Sequence, residues 1–98
     1  MMIEKGVIEI ADSFKISGRG IALVGIIIEG LINTGDFIHF EYNGESMKKR
    51  ILGLDRRIKE NGSKQKVGIL INCENEVEME KFHEWNPKLT IGKVFQGQ

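Results

Sequence analysis

Phe14-Lys15-Ile16-Ser17-Gly18-Arg19-Gly20-Ile21-Ala22-Leu23-Val24-Gly25-Ile26-Ile27-Ile28-Glu29-Gly30-Leu31-Ile32-Asn33-Thr34-Gly35-Asp36-Phe37-Ile38-His39-Phe40 is the stretch that decides the fold. Its β-branched and aromatic residues come in short runs, and a glycine stands wherever the chain can turn. The apolar run at 21–28 is too short to span a bilayer as a helix and dense enough to line a barrel. Gly18 and Gly20 allow positive φ on either side of Arg19, so a tight turn can push one long cationic side chain outward. The reading is an all-β fold, a small closed antiparallel barrel of six or seven strands.

Upstream, Ile8 and Ile10 alternate against Val7, Glu9 and Ala11, which predicts a first strand over 7–16 with a bend or bulge at Asp12-Ser13. Downstream, 33–36 is a turn, and a strand starts at Phe37. Asn43-Gly44 between alternating segments favours a type I′ turn. That turn sets Tyr42 opposite Glu45, Phe40 opposite Met47 and Ile38 opposite Lys49, with Lys48 and Arg50 pointing away from the core. The alternation slips at 52–54, which a bulge at Gly53 explains. Residues 67–73 form another buried strand and 89–95 the last one. Between them, 74–86 reads equally as a short helix capped by Asn75, with Glu78, Phe82 and Trp85 at helical spacing, or as a strand alternating through Val77 and Met79. Val7, Ile10, Ile16, Leu23, Ile38, Phe40, Ile51, Leu54, Ile69, Ile71 and Val94 are expected inside.

Ninety-eight residues suffice for one domain, 1–98, and the 12 glycines beside a single proline fit a chain of tight turns. Zero net charge removes the general electrostatic argument for nucleic-acid binding. The lone Cys73 has no internal disulfide partner, and the opening residues lack an apolar secretion core, so a cytoplasmic location is expected. Charge is nevertheless uneven: 45–66 carries eight Lys/Arg against three Asp/Glu, and 74–84 carries five Glu against one Lys.

The stretch also resembles the second, β-barrel domain of elongation factor Tu-like translational GTPases. Phe14, Ile16, Gly18, Arg19, Gly20, Gly25, Glu29, Gly30, Gly35 and Asp36 carry the likeness, with Leu52-Gly53-Leu54-Asp55, Val67-Gly68-Ile69-Leu70 and the closing Gly92-Lys93-Val94-Phe95. It covers about 7–73 and 91–96. The resemblance implies the barrel and a role near translation, here as a stand-alone domain without the GTPase domain. Asp55 stands at the family's acidic position, followed by Arg56 and Arg57 where the family has an aromatic. The reading carried forward is therefore a binding module.

No Gly-x-x-x-x-Gly-Lys-Ser/Thr loop occurs, so neither nucleotide binding nor hydrolysis is expected. His39, His83 and Cys73 lack metal-ligand spacing, and no nucleophile motif appears, so no catalysis, cofactor or metal is expected. Trp85 is read as a plug for one barrel end or an exposed anchor. The candidate partner-binding residues are Arg19, Lys48, Arg50, Asp55, Arg56, Arg57, Lys64 and Lys66. Their expected partner is a protein, met at a strand edge or by self-association. The alternative is an RNA- or ribosome-associated accessory factor that meets RNA through a basic loop face with Arg19, Lys48, Arg50, Arg56, Arg57, Lys64 and Lys66. No membrane contact is expected.

Overall fold

Alternation of apolar and polar residues, interrupted by glycine turns, is realised as six antiparallel strands and one helix. The computed structural model of the chain describes residues 3–56 and 66–97. In chain order the elements are β1 (Glu4–Ile16), β2 (Gly20–Gly30), β3 (Phe37–Tyr42), β4 (Glu45–Asp55), β5 (Lys66–Ile71), α1 (Glu76–Glu84) and β6 (Thr90–Phe95). The strands close into a barrel in the order β1-β2-β5-β4-β3-β6. Every neighbouring pair is antiparallel. Closure gives every strand a neighbour on both sides over part of its length, so little edge is left for another chain to pair with.

The β3–β4 hairpin turns at Asn43-Gly44 with φ of 47° and 85°, the positive values a type I′ turn requires. Its register is the expected one: Tyr42 faces Glu45, Phe40 faces Met47 and Ile38 faces Lys49. At the β1–β2 turn, Gly20 has φ of 132° and lies so close to β5 that a Cβ there would sit 2.6 Å from the Ile71 carbonyl oxygen. Only glycine meets both conditions.

Two of the register shifts between strands, both bulges, decide which residues of β1 and β4 face inward. In β1 the register with β2 shifts between Ile10 and Asp12. One extra residue reverses the alternation, because side chains along a strand point to opposite faces in turn. Ile8 and Ile10 therefore point inward before the bulge and Ser13 after it, while Ile16 is only half-buried rather than in the core. Val7 is likewise half-buried, because it alternates with the inward Ile8. In β4 the shift falls between Ile51 and Gly53, leaving Leu52 exposed. Leu54 packs against the core but is only partly buried. The remaining expected core positions are buried, joined by Ile8, Ile21, Ile32, Val67 and Phe82.

Residues 76–84 are helical, capped by Asn75, whose side chain accepts a hydrogen bond from the Glu78 amide at 2.9 Å. Phe82, 1% exposed, enters the end of the barrel. There its ring lies 5.1 Å from Tyr42 and 6.0 Å from Phe40, and Trp85 stacks on Phe40 at 5.6 Å. Trp85 is thus part of a plug. The Ser13 hydroxyl donates to the Phe82 carbonyl at 2.8 Å, tying the helix to β1. Lys49 faces inward on β4, 5% exposed, and its amine is paired with Glu78. A second ion pair, Lys15 with Glu80 at 2.7 Å, lies at the surface. Two glutamates of the acidic segment are therefore matched within the chain.

Candidate functional site

The outer surface of β1, β2, β5 and β4 carries two successive cross-strand rows that alternation alone would make polar. One runs Phe14, Ala22, Leu70, Gly53; the next runs Asp12, Val24, Gly68, Asp55. Ala22, Gly53 and Gly68 raise little or no side chain above the sheet, whereas Phe14, Ile16 and Leu70 stand beside them. The surface is consequently concave. It forms a groove of about 730 Å³, floored by apolar and small residues, with Arg19, Asp55 and Arg56 along it. Phe14 is 49% exposed, unusual for a phenylalanine on a chain with a core to fill.

The site residues expected from sequence divide. Arg19, Asp55 and Arg56 come together at this groove. Arg19 stands on its glycine turn, closed by its amide on the Ile16 carbonyl at 2.9 Å. Its guanidinium makes no hydrogen bond or ion pair among the described residues. Arg56 is anchored by donation to the Ile32 carbonyl oxygen. Lys66 opens β5 opposite Ile26 on the same side of the ring. Lys48 and Arg50 do not join them; they lie on β4 over the ring of Phe37, at 4.7 and 5.2 Å from its centroid. Arg57 and Lys64, with most of the expected basic loop, fall outside the described residues. Sequence reasoning missed Phe14, Ile16, Val24 and Leu70 as surface residues. The readable signal was apolar residues on both alternation phases of β1, β2 and β5.

Asp36, Cys73 and His39 titrate away from their ordinary values. Burial works against ionisation of Asp36. Hydrogen bonds from Lys5 (2.7 Å) and from the Gly97 and Asn33 amides (3.0 Å each) outweigh it, and the carboxyl sits below its ordinary value. Burial, then the charge of Glu78, pushes the Cys73 thiol up, against a smaller opposing effect of Lys49. Burial first, then Lys48, holds His39 below the usual imidazole value. Among the described residues no group of three or more His, Cys, Asp or Glu side chains is gathered as for a metal ion. No helix among them is long and apolar enough to cross a membrane.

The described chain is thus a six-stranded antiparallel barrel, plugged by a helix at one end and grooved on one outer face. No protein-family model matches it, and no solved structure does.

Proposed function

We propose that this barrel is a non-catalytic binding module that docks a protein partner in the groove across β1, β2, β5 and β4. The observation that carries the reading is the groove's floor: Phe14, Ile16, Val24 and Leu70 beside Ala22, Gly53 and Gly68, on the water side of a barrel whose core is already filled. Large apolar side chains left in water gain nothing for the isolated fold, and recover about 25 cal/mol per Å² when a partner covers them. A trough of this volume takes a handful of side chains. A narrow trough suits a short extended segment of another chain better than the broad outer face of a second barrel. Such a segment carries apolar residues for the floor and an acidic residue for the unpaired Arg19. The resemblance to the translation-factor barrel is part of the same proposal. It rests on the glycine-marked turns and the closed antiparallel ring, and it supplies no partner by itself.

Selection of a displayed random-peptide library on the purified protein tests this reading. Enriched peptides should combine apolar residues with Asp or Glu, and should lose binding to both Val24→Glu and Arg19→Glu, the latter an exposed change that leaves melting unaltered. Absence of enrichment, or peptides that bind both variants as tightly as the parent, overturns it. Wild-type self-association in sedimentation that Arg19→Glu abolishes would transfer the groove to a second copy of the chain.

A further inference from the structure

The opposite side of the ring carries a different pattern. On β6, β3 and β4, Phe95, Phe37 and Arg50 form one outward cross-strand row. Lys93, His39 and Lys48 form the next. Lys48 and Lys93 thus flank His39 across the strands, with Arg50 in the adjoining row. Lys48, Arg50 and Lys93 make no ion pair among the described residues. Acids stand at the margins: Glu4 opposite Phe95, and in the row beyond Glu9 opposite Ile91 and Glu41 opposite Ser46. Aromatic rings lie among the cations. Phe37 carries Lys48 and Arg50 against its ring, and His39 packs on Phe95 at 4.4 Å with the planes inclined by 42°.

We propose that this face binds single-stranded nucleic acid, with phosphates on Lys48, Arg50 and Lys93 and bases against the Phe37–Phe95 row. An acidic peptide would satisfy the cations alone. A single strand uses the rings as well, since phosphates pair with cations and every base has a face that stacks on an aromatic ring. Of the cations expected from sequence to meet RNA the site keeps Lys48 and Arg50 and leaves out the loop at 55–66; Lys93 and the Phe37–Phe95 row join them by strand pairing. It shares no residue with the groove, so the failure of either proposal leaves the other standing.

The test is fluorescence anisotropy with a short labelled oligouridine. Three phosphate contacts to a single strand give a slope near −2 in log affinity against log salt, so binding should weaken roughly 20-fold between about 50 and about 200 mM salt. The triple variant Lys48→Gln, Arg50→Gln, Lys93→Gln should lose that dependence together with most of the affinity, its melting unchanged. Phe37→Leu keeps apolar bulk but removes the ring; it should cost roughly 5- to 150-fold in affinity and leave the salt slope intact. No binding at low salt, an unaffected triple variant, or displacement of the strand by polyglutamate at equal charge concentration would each overturn the proposal.

Discussion

Replacing Phe82 with alanine tests whether α1 is a structural plug. The ring is 1% exposed and lies against Phe40, Tyr42 and Trp85, and its residue is fixed to β1 by the Ser13 hydroxyl. Truncation removes the largest fully buried side chain and leaves a cavity that a closed ring of hydrogen-bonded strands cannot collapse to fill. Such changes cost about 3–5 kcal/mol. A domain of this size has about 5–15 kcal/mol in all, so between a fifth and all of the stability is at stake. At about 4–8 °C per kcal/mol, melting should fall by at least about 12 °C. Trp85, the chain's single tryptophan, is half-buried against Phe40. Its emission should shift to the red in native buffer as water reaches the vacated end. Thermal melts followed by circular dichroism, with Trp85 fluorescence beside them, make the measurement. A melting change under about 4 °C with unaltered emission would show that the helix rests on the barrel without filling it.

In the Lys49–Glu78 pair the lysine side chain is 6% exposed and the glutamate 20%, and the carboxylate also accepts from the Glu74 amide, so Glu78→Gln, which strands the deeper charge, should lower the urea midpoint more than Lys49→Met does. Asp36 is held below its ordinary value in the folded chain, so its contribution is complete above about pH 5 and is lost as pH falls through the lowered native value. The urea midpoints of wild type and Asp36→Asn should therefore differ at pH 7 and converge in acid; a gap that widens on acidification refutes the assignment. Changing Asn43-Gly44 to Val-Val places β-branched residues at two positive-φ positions and should cost about 2–4 kcal/mol, read as a lowered melting temperature. An unchanged melt would mean the hairpin does not depend on that turn.

The antiparallel barrel, the Asn43-Gly44 register and the turn at Gly18–Gly20 were determined by local chemistry, because turn type and two-residue alternation act over a few bonds and are written in consecutive residues. Both bulges were signalled as interruptions of alternation. Their consequences were not: one extra residue at 10–12 sends Ser13 inward and leaves Ile16 only half-buried, and only the pairing with β2 shows which residue is extra. Residues 74–86 were compatible with helix and strand alike, since Val77 and Met79 alternate while Glu78, Phe82 and Trp85 recur at helical spacing. The open barrel end over Phe40 decided between them by giving Phe82 a place to be buried. The groove and the cationic face each depend on three or four strands distant in sequence. Ala22, Gly53 and Gly68 become a floor, and Lys93, His39 and Lys48 become a row, only when β2, β5 and β4, or β6, β3 and β4, are set side by side. Cross-strand neighbours are fixed by closure of the ring, a property of the whole chain that no single segment contains.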